Sequence, residues 1–294
     1  MALKFNRVVI GIAFVLTCWA AYPAAASGSD DDLNSDGIYD EVEDSPNKAK
    51  LWLRFGAYYP QLNTKASLSR SDGTVGTTID FESDLGMDDA EFMPVISASY
   101  RFNSSHRINF SYFDLNRRGG DESKVRIRFG DEVFEAFVPV QSFFDVEAFS
   151  VAYGYSLYTD STKDLELSVG LSVQDLAFGL ASTDDGKPIA EETGITAPLP
   201  TLGLSGFYSL GNKFLLQGRI GYFAVDLNWE DSDREFGGHI FDASLGIYHK
   251  TFRNIGFGLD WSYFDVNVHY SKNGRDARGD YTYNGPRFNV VAFY

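Results

Sequence analysis

Seven charged residues stand in stretches that are otherwise apolar or small: Arg54, Arg101, Arg219 and Arg287, with Glu166, Asp242 and Asp260. Guanidinium and carboxylate groups taken out of water must pair, because desolvating a lone ion costs several kcal/mol. The set can serve as an ion-paired filling or as a charged constriction that selects ions. A second group lies in Asp32-Leu33-Asn34-Ser35-Asp36-Gly37-Ile38-Tyr39-Asp40-Glu41-Val42-Glu43. Its D-x-N-x-D-G spacing, with an acid at the twelfth position, gathers oxygens around a glycine turn, which is calcium chemistry. Hydrolysis needs a nucleophile and base or an acid paired with a histidine. The chain has four histidines, His106, His239, His249 and His269, and Asp265 with His269 is the nearest acid–histidine candidate.

The elements that position the first group alternate with a period of two, which is a strand pattern. Leu51 to Tyr59 puts Leu51, Leu53, Phe55, Ala57 and Tyr59 on one face and Arg54 and Gly56 on the other. The same division recurs over 92–102, from 108 onward, in a stretch ending near 158, and over 165–174, 202–210, 214–222, 241–247, 255–263 and 286–294. Short turns at 103–106, 159–164, 211–212 and 250–254 alternate with long connections. About ten strands follow, with eight or twelve as alternatives. The pair Gly130-Asp131 reads as a two-residue hairpin turn with Gly first. Antiparallel pairing from it sets Arg128 against Val133, Arg126 against Glu135, Tyr112 against Phe149 and Phe110 against Val151, so this hairpin is expected to rise straight out of the membrane. Asp72-Gly73 is expected to turn a similar extension of the first hairpin.

The closing segment Pro286-Arg-Phe-Asn-Val-Val-Ala-Phe-Tyr294, one face apolar and the other bearing Arg287 and Asn289, resembles the C-terminal signature of Gram-negative outer-membrane β-barrels. That resemblance implies a transmembrane up-and-down antiparallel barrel over 49–294, with both termini periplasmic and the last strand recognised by the outer-membrane assembly machinery. Lys4 and Arg7, the apolar run Val8 to Ala21 and Ala24-Ala25-Ala26 read as a secretory signal peptide over 1–26. The only cysteine, Cys18, falls within it, so the exported chain has no thiol chemistry. Residues 27–48 form an acidic periplasmic linker. The formal charge is −16, and losing Lys4 and Arg7 takes it to −18. So acidic a surface argues against nucleic acid as a partner. It favours divalent cations.

The linker segment is similar to an EF-hand loop and to one thrombospondin type 3 repeat. By that resemblance Asp32, Asn34, Asp36, Asp40 and Glu43 would supply side-chain oxygens and Ile38 its carbonyl to Ca2+. On the external part of the Gly130 hairpin, the register sends Asp114, Arg118 and Glu147 outward just above the lipid band, with Lys124, Arg126 and Arg128 higher up. There, cations could hold lipopolysaccharide phosphates and carboxylates could share bridging metal. Arg126 with Glu135 is otherwise an ordinary cross-strand pair.

The histidine spacings do not resemble those of outer-membrane phospholipase or lipid A deacylase, and Asp265 and His269 do not match the omptin protease pattern. The resulting expectation is a non-enzymatic outer-membrane barrel, structural or interacting with lipopolysaccharide, its lumen plugged by a salt-bridge network. A narrow channel for small solutes is the alternative, and an outer-membrane hydrolase the third reading.

Overall fold

The computed structural model describes residues 49–294 apart from positions 70, 71, 73, 75, 124, 125, 185, 186, 212, 230–233, 273 and 274. The expected signal peptide and linker, with Asp32, Asn34, Asp36, Ile38, Asp40 and Glu43, lie outside the described residues, as do Lys124 and Gly73.

The strands are, in chain order, β1 (Leu51–Tyr58), β2 (Gln61–Leu68), β3 (Ile79–Asp80), β4 (Met93–Arg101), β5 (His106–Glu122), β6 (Ile127–Phe129) and β7 (Glu132–Phe134). They continue as β8 (Pro139–Thr159), β9 (Lys163–Asp184), β10 (Lys187–Leu210), β11 (Phe214–Trp229), β12 (Arg234–Lys250), β13 (Ile255–Lys272) and β14 (Arg275–Phe293). The order β1-β4-β5-β8-β9-β10-β11-β12-β13-β14 closes on itself through β14 and β1. All of these pairs are antiparallel, so this is an up-and-down ring of ten strands. Tyr58 lies opposite Arg287 and Gln61 opposite Asn284, so β2 continues β1 in unbroken register. The interruption falls at Pro60, which has no N–H to give to a ladder.

One row of paired residues fixes the geometry. From Leu202 it runs through Tyr222, Phe241, Asp265 and Thr282 to Asn63. In the other direction it runs through Val169, Tyr153, Ile108 and Tyr100 to Leu51. The row therefore returns to the first strand displaced from Leu51 to Asn63. For ten strands that stagger implies a tilt of roughly 40°, the usual range for closed barrels. A ring of this size has an interior that its own side chains can fill.

Two layers do fill it. At the end carrying Ala49 and Tyr294, Trp52, Phe207, Leu215, Tyr248, Val291 and Phe293 form a small buried cluster. Toward the opposite, distal end a much larger apolar core includes Phe81, Leu115, Phe129, Phe144, Phe178 and Tyr281. The polarity of the two faces swaps along a single strand. On β8, Phe149, Tyr153 and Leu157 are exposed on the outside, whereas Val140, Phe144 and Val146 are buried inside and Glu147 lies outside. On β13, Leu259, Trp261 and Tyr263 face out, and further along Val266 and Val268 are buried inside. Apolar outward faces suit lipid, and apolar inward faces suit a wall with water outside.

Two expectations need correction. The hairpin register is as read, with Arg128 opposite Val133 and Tyr112 opposite Phe149. It does not rise straight, however. The main ladder stops at Glu122 opposite Pro139, and β6–β7 is a separate two-stranded sheet. Ile127, Phe129 and Phe134 turn inward, each at most 1% exposed, and Phe137 takes a positive φ of 63° at the bend. Burying three large apolar groups drives the fold-over. The first hairpin has no long returning strand either. Among the described residues its descending arm pairs with β2 at Ile79–Asp80 and by a single bridge from Ala90 to Gln61, and between them it turns through Phe81–Leu85, burying Phe81, Leu85 and Met87 within the distal core.

Candidate functional site

The ionisable residues of the lumen lie on inward positions of the ring and form three groups. Nearest the termini, the Arg101 guanidinium meets Asp164 at 2.5 Å, and Arg107 reaches Asp164 at 3.3 Å and Glu166 at 3.1 Å. Next, Asp260 accepts from Arg287 at 2.8 Å, Tyr248 Oη at 3.0 Å, Asn289 at 2.5 Å and Ser262 Oγ at 3.1 Å. On the adjoining strands β11 and β12, Arg219 Nε donates to Asp242 at 2.9 Å. Four donors on one buried carboxylate supply the hydrogen bonds that a dry ion requires.

The wall makes room for this. Gly154, Gly221 and Gly246 stand beside Glu166, Asp242 and Asp260, and a Cβ at any of them would collide with that acidic side chain. Glycine on these inward positions lets the side chains lie flat against the neighbouring strand.

Of the residues singled out in the sequence, Arg101, Glu166, Arg219, Asp242, Asp260 and Arg287 all take part in these pairs. Arg54 does not. It donates to Gln217 at 2.9 Å and stacks on the Tyr248 ring at 4.8 Å, and it has no carboxylate partner among the described residues. The sequence pattern does not single out Arg107 and Asp164, at the turn-proximal ends of β5 and β9: Asp164 falls in the turn expected over 159–164, and Arg107 between the turn expected over 103–106 and the strand expected from 108. Extending the inward alternation of Asn109 and Ser111 by one step would have found Arg107.

The pattern also misses Arg117, at 1% exposure among the largest fully buried side chains. Arg117 pairs with Glu82 at 2.7 Å and donates to Thr64 Oγ1 at 2.7 Å and to the Asp88 carbonyl at 2.5 Å. These bonds clamp the in-folded arm 81–92 inside the distal half.

The outer wall beyond the apolar band carries the other set. Arg118 pairs with Asp145, and Asp114 accepts from Asn116 at 2.9 Å. Glu147 lies opposite both Asp114 and Asp175, and accepts from Tyr112 Oη at 3.2 Å. Contrary to the straight-hairpin expectation, Arg126 and Arg128 are not on this wall but on the folded-over β6–β7 hairpin, where Arg126 pairs with Glu135 at 3.0 Å, both well exposed, and the Arg128 amide donates to Thr77 Oγ1.

All four histidines lie on outward-facing or turn positions. His239 Nε2 lies 3.2 Å from Asp265, whose other oxygen accepts from Thr282, and His269 sits on the same outer face. Asp265 therefore pairs with His239 and not His269, outside the lumen. No group of three or more metal-ligating side chains occurs among the described residues.

No family model matches the chain, and no curated protein matches it in sequence. Solved structures do resemble it. The outer membrane protease OmpT from Escherichia coli superposes with a TM-score of 0.52 at 11% identity, covering 84% of this chain and 97% of that one. The translocator domain of the autotransporter NalP from Neisseria meningitidis gives 0.45 at 10% identity, covering 83% and 88%. The Pseudomonas putida toluene transporter TodX gives 0.34 at 10% identity, covering 85% and 92%. At these identities the likeness is one of fold, and that fold is the outer-membrane β-barrel.

Proposed function

We propose that this chain is a closed, non-enzymatic barrel of the Gram-negative outer membrane that acts through its distal wall at the cell surface, with its termini in the periplasm. The observation that carries this reading is the filled distal half. Phe81, Phe144, Phe178 and Tyr281 pack there with ring centroids 5.7–6.4 Å apart, beneath an in-folded arm held by Arg117. A water-filled pore needs a continuous polar path, and this layer crosses it. The ion-paired layer below then fills space at the level of the lipid and does not select ions.

The contact surface in this reading is the outer wall just above the apolar band. Asp114, Arg118 and Glu147 lie there, and the exposed Arg126 and Arg128 belong instead to the folded-over β6–β7 hairpin. Lipopolysaccharide offers phosphates to the arginines and bridging divalent cations to the carboxylates. A hydrolase is disfavoured because the His239–Asp265 pair faces outward from the ring. The linker residues Asp32 to Glu43 are proposed as a weak calcium tether, and the segment ending at Tyr294 as the handle for the assembly machinery.

Planar-bilayer recording of the refolded exported chain, with insertion confirmed by heat-modifiable gel mobility, tests the reading. A silent membrane is expected. Reproducible conductance steps would replace it with the narrow-channel reading, and Arg54, Arg101, Arg219 and Arg287 would then become selectivity residues.

A further inference from the structure

Between the ion-paired layer and the distal core the lumen contains a cavity of about 260 Å³. Its walls differ in chemistry. Val95, Phe113, Ile240 and Phe264 line the distal side, and Arg54, Arg219, Arg287 and Gln217 line the other. Serines, among them Ser97, Ser111, Ser150 and Ser244, form a belt between them.

Charge bookkeeping singles out one group. In the ionic layer five arginines face four carboxylates. Arg287 has Asp260, Arg219 has Asp242, and Arg101 and Arg107 share Asp164 and Glu166. Among the described residues Arg54 is the cation left over, and it borders the cavity. Its Nε is buried without a hydrogen-bond partner. A second orphan borders the same space: Tyr283, 1% exposed, has a hydroxyl without a partner. A half-buried guanidinium with a buried, unpartnered Nε–H and no anion, and a buried phenol lacking an acceptor, are both costly to leave unsatisfied.

We infer that this cavity binds a small organic acid, its carboxylate on Arg54 and its compact apolar body against Phe113 and Phe264. The size fits. A dry cavity of roughly 150 Å³ takes a benzene ring, and a water occupies about 30 Å³. The space here thus accepts a benzoate-sized acid with a few waters against the serine belt. An inorganic anion would answer Arg54 but leave the aromatic wall uncovered. A neutral hydrocarbon would cover the wall but leave Arg54 without its anion.

The test refolds the exported chain in the presence of 4-fluorobenzoate, so that no entry route through the closed barrel is required, and follows the bound probe by fluorine NMR. A saturable, shifted signal is expected, and fluorobenzene and acetate, each present at equal concentration during refolding, should both fail to reduce it. Arg54→Met should weaken binding about tenfold or more, the loss of a charge-assisted hydrogen bond. Ser111→Leu, which fills the cavity and leaves every charge in place, should abolish it; heat-modifiable mobility checks the folding of both variants. The inference is overturned if the signal is absent, if neither substitution alters it, as for partition into detergent, or if fluorobenzene or acetate competes equally.

Discussion

The two halves of the lumen are built from the same ten strands and filled by opposite means. The half nearer the termini is packed with ion pairs against glycine-lined walls, centred on Asp260, Arg287 and Asp242. The distal half is packed with rings and branched chains, and within it the buried Arg117, paired with Glu82, clamps an in-folded arm. What differs is the medium outside. Where lipid surrounds the wall the apolar residues must face out, which leaves the inward positions to polar groups that satisfy one another. Where water surrounds it, the alternation reverses phase and the inside becomes an ordinary core. The switch falls between Glu147 and Phe149 on β8 and between Tyr263 and Asp265 on β13.

That contrast predicts different responses to substitution. The largest effect is expected for Asp260→Leu, which strands Arg287 in the lumen. A loss of about 3–5 kcal/mol is typical for breaking a buried pair from one side. Adding Arg287→Met should recover more than half of it, as urea unfolding of the refolded barrel in vesicles would show. Phe144→Ala in the distal half should also cost about 3–5 kcal/mol, the transfer and cavity terms together. No second substitution in the ionic layer should rescue it.

On the outer wall, Arg118→Ala breaks an exposed pair and should cost no more than about 1 kcal/mol. Its effect should instead appear as weaker binding of lipopolysaccharide to the refolded barrel in vesicles.

The smallest effect concerns the turn between β8 and β9. Asp160 accepts from Tyr158 Oη and from the amides of Thr162 and Lys163, which hold its carboxyl well below the ordinary value of 3.8. A depressed carboxyl contributes stability at neutral pH and loses it as pH falls below 3.8 through its lower folded value. The difference between the native chain and Asp160→Asn should therefore be slight at pH 7 and shrink further in acid.

Much of the ring was legible because a period of two leaves a clear trace wherever one face must be apolar. The outward positions of β8, β9 and β13 and the register from Gly130-Asp131 all follow from it. The distal core was not legible in the same way. Its inward positions carry Phe144, Val146 and Leu115, but an alternation of two does not say which face is inside, and the lipid-facing stretches imply a polar interior that does not hold where water surrounds the wall. The in-folding of β6–β7 and of the arm 81–92 depends on long-range burial, of Phe129 against Phe178 and Phe81 against Phe144, that no local pattern carries. Arg117 escaped notice because its partner, Glu82, lies on that arm.

Nitroxide scanning along β8 would test the inverted wall most directly, with single cysteines at 140–157 in the exported chain and accessibility to oxygen and to a water-soluble nickel reagent compared. Positions 149, 151, 153 and 157 should favour oxygen, 145 and 147 should favour nickel, and 144 and 146 should be shielded from both. Nickel access at 144 and 146, or oxygen preference continuing through 147 and 145, would contradict a closed barrel whose polarity reverses at Phe149.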